Sequence, residues 1–165
     1  MARILLVAGG CRGRGLAAAL LADGHAVRIT TRSSERRPSI EQAGAECWVG
    51  TPDRLATLRG ALDGVTIACW LLGAGSGSAE QLLQLHGSRL EFFLTQIIDT
   101  TVRGFVYEAR GTSTPAAALA AGELTVQRLT QLNAIPAAYL RADPAQREEW
   151  IAHARALIAA LLQRA

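Results

Sequence analysis

The sequence predicts one α/β domain over residues 1–165, a three-layer, doubly wound parallel sheet of six strands. Three observations carry this. Short β-rich runs alternate with helical patterns from end to end. Most of those runs are continuously apolar rather than alternating, as strands covered on both faces are. Half of the residues are hydrophobic and 19% are charged, against roughly 25% in ordinary soluble domains. Such a composition excludes a disordered chain and suits a sheet buried between helical layers. Right-handed crossovers then lay the helices on both faces.

The strand runs are Arg3–Ala8, Ala26–Thr31, Glu46–Val49, Thr66–Leu72, Gly104–Tyr107 and Ala137–Leu140. A first helix opens on Leu16, after a glycine turn. Thr51-Pro52-Asp53 places a cap, an N1 proline and an acid before Leu55, Leu58 and Leu62, with Gly64 behind them, and predicts a second helix. Ser78 and Gln81 form a capping-box pattern ahead of Leu82, Leu85, Leu90, Phe93, Leu94 and Ile97, which predicts one long helix. Thr114-Pro115 starts another that ends near Asn133. Asp143-Pro144 starts the last, with Ile151, Ala154, Leu157, Ile158, Leu161 and Leu162 at helical spacing. No linker or repeat interrupts the pattern.

Charge narrows the function. All 17 basic residues are Arg, which excludes a P-loop lysine, a Schiff-base lysine and a Tyr-Lys proton relay. Residues 9–37 hold Arg12, Arg14, Arg28, Arg32, Arg36 and Arg37 against Asp23 and Glu35, a local charge of +4 within a net +3. Nucleic-acid binders spread basic charge along a face with stacking aromatics between. Here aromatics are 5% and the excess sits in one segment, which suits a small phosphorylated ligand and no nucleic acid. Cys11, Cys47 and Cys69 show neither a disulfide framework nor metal-ligand spacing. The longest apolar stretch, Val65 to Ala74, is half of what a membrane span needs. A soluble cytoplasmic protein is expected.

The most informative segment is residues 3–32, RILLVAGGCRGRGLAAALLADGHAVRITTR. A strand ends at Ala8, the turn carries Gly9, Gly10, Gly13 and Gly15, a helix follows, and then a second strand. Glycines let the backbone approach a pyrophosphate, and the helix N-terminus supplies free N–H donors. The spacing is G-x-x-x-G-x-G. It resembles the short-chain dehydrogenase/reductase superfamily, where GGCRGRG is similar to the GGTRGIG variants and Gly24-His25-x-Val27 to the turn before the second strand. Val65–Gly73 resembles that family's fourth strand and glycine turn, and Ile135–Arg141 its sixth strand. The likeness is nearest to the atypical, NmrA-like or epimerase-like branch. It implies a Rossmann fold with strand order 3-2-1-4-5-6. It also implies a dinucleotide site made of Gly9, Gly10, Cys11, Arg12, Gly13, Arg14, Gly15, Arg32, Ser33, Gly50, Thr51, Leu72, Gly73 and Ala74.

The departures matter as much. The family's Tyr-x-x-x-Lys falls on Thr114–Glu123 here, with Pro or Ala for Tyr and Leu or Ala for Lys. The strand-five Ser is replaced by Ala109 or Arg110. After the sixth strand the chain adds one helix, where that branch continues into a substrate domain, so it resembles the cofactor half alone. Two readings stay open. One is a dinucleotide-binding, redox-sensing or regulatory module acting on a protein partner. The other is an NADP-dependent oxidoreductase or epimerase-like enzyme with a small-molecule substrate and a non-standard acid, for which Tyr107 and Glu108 are the candidates. No metal is expected.

The cofactor reading favours NADP(H). NAD sites place an acid at the end of the second strand for the ribose 2′-OH. Thr30-Thr31-Arg32-Ser33-Ser34 has none before Glu35, while Arg32, with Arg12 and Arg36, suits a 2′-phosphate. His25, His86 and His153 lack ligand partners and read as structural. Cys11 reads as a small residue of the phosphate turn or a reactive thiol, and Cys47 and Cys69 as core. A homodimer through the helices near Ser78–Thr100 and Pro115–Asn133 is expected. Leu82, Leu83, Leu85, Leu90, Phe92, Phe93, Leu94, Ile97 and Ile98 spread around more of the first one than the stripe a single sheet face buries, and the family implies a four-helix interface there.

Overall fold

Parallel pairing joins six strands into one sheet: β1 (Arg3–Ala8), β2 (Ala26–Thr31), β3 (Glu46–Val49), β4 (Ile67–Leu71), β5 (Gly104–Glu108) and β6 (Ala137–Leu140). Their order is β3-β2-β1-β4-β5-β6, as expected, in a computed structural model that describes residues 1–164. The strands match the predicted runs to within one residue at either end.

Alternation along each strand divides the core. Ile4 and Leu6 of β1 point to one face with Ile67, Cys69 and Val106, and are covered by α1 (Gly10–Ala22), α2 (Arg37–Gln42) and α6 (Arg147–Leu162) through Leu16, Leu20, Ile40, Trp150, Ala154 and Ile158. Leu5 and Val7 point the other way with Ala68, Trp70, Phe105 and Tyr107. That face is covered by α3 (Ala79–His86), α4 (Ser88–Ile97) and α5 (Ala116–Leu132). Here Leu85, Leu90, Phe93, Ile97 and Val126 are buried, and the Phe93 ring lies 5.0 Å from that of Trp70.

Four helix predictions are corrected. The first helix begins at Gly10, well before Leu16, because the glycine turn is itself its first turns. Between β3 and β4 there is no α-helix but two 3-10 turns, Leu55–Leu58 and Gly60–Leu62. Side chains capture the carbonyls a helical ladder would use: Trp48 Nε1 donates to Thr57 O (2.7 Å), and Arg28 donates to Ala61 O and Asp63 O. The long helix after Ser78 keeps its capping box but breaks at Gly87, whose φ/ψ of −112°/−107° is non-helical. The last helix starts at Arg147, since Asp143 Oδ1 accepts the N–H of Ala145 (2.9 Å) and holds residues 143–145 in a turn. The short α2, entered through a 3-10 turn at Ser34–Arg36, has no predicted counterpart.

Of the apolar residues predicted to serve a dimer, Leu82, Leu85, Leu90, Phe93, Leu94 and Ile97 belong to the core, while Leu83, Phe92 and Ile98 are exposed. No helix among the described residues is long and apolar enough to cross a membrane.

Candidate dinucleotide site

The chain leaves β1 through three consecutive left-handed residues, Ala8 (φ 66°), Gly9 (φ 100°) and Gly10 (φ 54°). A Cβ on Gly9 would lie 2.9 Å from Gly13 Cα, so the turn closes this tightly only with glycine at position 9. Ala8 carries a Cβ in the same region, a strain that concentrates at ligand sites. The helix that follows has no side-chain cap and no acid in its first turn. Its first N–H groups therefore keep their hydrogen-bonding capacity at the positive end of the helix dipole. Gly10, Cys11 and Arg12, which carry them, line a groove of about 580 Å³.

The groove sits over the C-terminal ends of β1 to β4. One wall is Ile29, Thr30, Thr31, Arg32, Ser33, Arg36 and Ile40; the opposite wall is Leu71, Leu72, Ala74, Gly75 and Ser76, with Gly50 and Pro52 beside them. Ala8, Gly9 and Arg14 complete the lining. Left-handed backbone, uncapped helix donors and basic side chains fit the pyrophosphate and phosphates of a dinucleotide.

Four of the expected contacts fall outside this lining. Gly13 lies beneath the turn, where a Cβ would meet Ala8 O at 2.9 Å. Gly15 faces Ile151 and Arg147 of α6. Thr51 is tied to Thr57 and Asp53, and Gly73 donates its N–H to Glu108 (2.7 Å). These residues shape the site without lining it. Conversely, Ala8, Ile29, Thr30, Thr31, Ile40, Pro52, Leu71 and Gly75 were not anticipated. The strand-end members follow from the rule that open parallel sheets bind ligands beyond their carboxyl ends. Ile40 had no signal, because it rides on the unforeseen α2.

The basic segment divides into structural and available charge. Arg28 is buried, paired with Glu46 (2.9 Å) and stacked over Trp48. Arg37 pairs with Glu41. Arg12 borders the groove, but its guanidinium lies over Trp150 (5.2 Å), donates to Pro144 O (3.2 Å) and sits 3.6 Å from Glu108. That geometry turns Arg12, expected to assist at the 2′-phosphate, toward Glu108, Trp150 and Pro144. Arg14, Arg32 and Arg36 remain on the walls. Arg32 contacts Asp53 at 3.0 Å, with both side chains half exposed. An exposed pair of this kind contributes about 0–1 kcal/mol, so a phosphate can displace it.

The two candidate acids lie away from the groove. Tyr107 and Glu108 are fully buried and line no part of the groove. Glu108 accepts from Gly73 N and from Trp150 Nε1 (2.9 Å). Burial holds its carboxyl above the ordinary value, against the opposing pull of Gly73 N–H, Arg12 and Trp150. The Tyr107 hydroxyl is 2.7 Å from His86 Nδ1 and 3.3 Å from Leu119 O, in space left by Gly122, and burial pushes its pKa up. His86 Nε2 lies 3.2 Å from Leu72 O and must carry the proton there, so Nδ1 accepts from Tyr107.

Burial also lowers the pKa of His86, opposed by its bond to Leu72 O. Below about pH 6.5 the unfolded chain takes up a proton that the folded chain refuses, so this residue makes stability fall with falling pH. One proton limits the slope to about 1.4 kcal/mol per pH unit. Glu108, raised by burial, acts with the opposite sign: its contribution is present at low pH and lost as pH rises through its folded value. Urea midpoints at pH 7 and pH 5 are expected to drop more for the native chain than for His86→Gln. Equal drops would remove His86 from the acid sensitivity.

Cys11 is exposed beside the groove, with Arg14 donating to its Sγ (3.3 Å), while Cys47 and Cys69 are buried, as expected. His25 Nδ1 accepts from Ala2 N. Among the described residues no cluster of three His, Cys, Asp or Glu is placed to hold a metal.

Fold and turn together define a Rossmann-type nucleotide-binding domain. The sequence profile of the NAD(P)H-binding family matches residues 8–163, and the chain belongs to that family. Similar solved structures include a short-chain dehydrogenase/reductase superfamily protein from Agrobacterium tumefaciens with bound NAD (TM-score 0.68, 21% identity, 84% of this chain and 48% of that one). The Citrobacter sp. triphenylmethane reductase complexed with NADP(H) aligns at TM-score 0.62 and 20% identity, over 84% and 48%. A UDP-glucuronic acid 4-epimerase from Bacillus cereus, in complex with NAD and a substrate analogue, aligns at 0.63 and 13%, over 83% and 55%. The chain thus spans about half the length of each. No curated protein matches its sequence.

Proposed function

We propose that this domain binds NADP(H) and serves as a regulatory module that holds the dinucleotide without turning it over. The observation that carries the cofactor choice is the wall after β2: Arg32, Ser33 and Arg36 line the groove and no acid stands among them. The Citrobacter relative bound NADP(H) and the Agrobacterium one NAD, so the choice rests on this wall alone. The absence of turnover rests on the two buried acids. Tyr107 and Glu108 are spent on His86, Gly73 and Trp150, and an acid acts in catalysis within hydrogen-bond reach of the proton it moves, directly or through one water. NADP(H), when bound, would supply hydride chemistry; the residues of the groove supply binding and orientation.

The test is a panel of carbonyl substrates incubated with chain and NADPH, following loss of the reduced nicotinamide. Binding without oxidation is expected. Rapid turnover that survives replacement of both Tyr107 and Glu108 would restore the oxidoreductase reading. Three free cysteines support a reducing compartment such as the cytoplasm. Exposed Leu83 and Phe92, with Leu124 on α5, support a homodimer. Light scattering at micromolar concentration is expected to give twice the chain mass, and a monomer would make them ordinary surface.

A further inference from the structure

We infer that the site reads only the adenosine end of its ligand, a 2′-phosphorylated ADP-ribose group, and is indifferent to whether a nicotinamide is present, oxidised or reduced. This rests on the proposed NADP(H) reading and sharpens it. A doubly wound sheet binds a dinucleotide across the point where strand order reverses, one mononucleotide over each half. Here β1, β2 and β3 form one half and β4, β5 and β6 the other, with the reversal between β1 and β4. The groove spans the first half and reaches only the β4 end of the second; no described residue following β5 or β6 lines it.

That second half is filled by the protein itself. The Glu108 carboxylate, at the end of β5, ties the turn after β4 to α6 by accepting from Gly73 N and Trp150 Nε1. Arg12 comes across from the glycine turn to lie on the Trp150 ring and donates to Pro144 O, beyond β6. Above them the two loops touch backbone to backbone. A Cβ on Gly111 would stand 1.9 Å from Gly73 O, and one on Gly73 would stand 2.5 Å from Arg110 O. Ser113 Oγ fixes the same loop by donating to Gly75 O (2.8 Å). A nicotinamide seated between β4 and β5 would have to part these loops and take from the buried Glu108 carboxyl the N–H it accepts from Gly73, which is strongly unfavourable. It instead extends from the pyrophosphate into solvent.

The experiment is calorimetric titration of the native chain with NADPH, NADP+, 2′-phospho-ADP-ribose and nicotinamide mononucleotide. The first three are expected to bind with dissociation constants within about threefold of one another, the last not at all, and the emission of bound NADPH to match that in water. A preference above threefold for either dinucleotide over 2′-phospho-ADP-ribose, or a blue-shifted emission, would overturn the inference while leaving NADP(H) binding intact. Failure of all three to bind would overturn both.

Discussion

Glu108→Ala is expected to be the most destabilising single change at the site. It removes the acceptor of Gly73 N–H and Trp150 Nε1–H and leaves the Arg12 guanidinium without its carboxylate. Breaking a buried pair by deleting one partner costs about 3–5 kcal/mol. In a chain of this size each kcal/mol lowers Tm by roughly 2–4 °C, so the melting point should fall by roughly 6–20 °C. Glu108→Gln should fall less, because the amide oxygen still accepts one of the two N–H groups while its NH₂ opposes the other. Thermal unfolding by circular dichroism measures both. An Ala variant that melts within about 2 °C of the native chain would show that Glu108 does not fasten β5 to the β4 turn and α6.

Arg32→Ala should have the largest effect on ligand affinity. A hydrogen bond to a charged group contributes about 1.5–3 kcal/mol, which is roughly tenfold to a hundredfold in dissociation constant for NADPH. NADH lacks the 2′-phosphate and should lose little, so the variant narrows the gap between the two. Asp53→Asn should shift NADPH affinity the other way, since it removes the carboxylate that Arg32 contacts. That gain is bounded by the value of an exposed pair, up to about 1 kcal/mol. Calorimetric titration of the three chains with NADPH decides it. An Arg32→Ala chain that binds NADPH as tightly as the native one would move 2′-phosphate recognition to Arg36 or Arg14.

The sheet was legible because its signals are local. Continuous apolar runs, a glycine turn between strand and helix, and capping residues such as Ser78 and Gln81 each act within a few positions of themselves. What escaped was long-range. The carbonyl of Thr57 is taken by Trp48, and those of Ala61 and Asp63 by Arg28, so a segment with helical spacing folds as 3-10 turns. Likewise Arg12 and Glu108 read as ligand-facing because both sit at carboxyl ends of strands or in the phosphate turn. Trp150, well over a hundred residues from Arg12 in sequence, turns both inward. The wall of Arg32 and Ser33 was readable because it needs only the end of one strand. Arg36 joins it through α2 and the turn before it, which carried no clear periodicity.

The same division explains why binding was easier to read than chemistry. Backbone conformation at Gly9 and Gly10 follows from residue type. Whether Tyr107 meets a ligand or a neighbour depends on His86, which lies on α3, and on Gly122, where any side chain would occupy the space of the Tyr107 hydroxyl.

On the proposed reading, the groove over β1–β4 is a dinucleotide site with a 2′-phosphate preference. Isothermal titration of the native chain with NADPH and then NADH tests it most directly. The arrangement of Arg32, Ser33 and Arg36 predicts one site per chain and NADPH tighter by roughly tenfold or more, a margin that shrinks with added salt as exposed charges are screened. Equal affinity, a preference for NADH, or no heat from either ligand would contradict it.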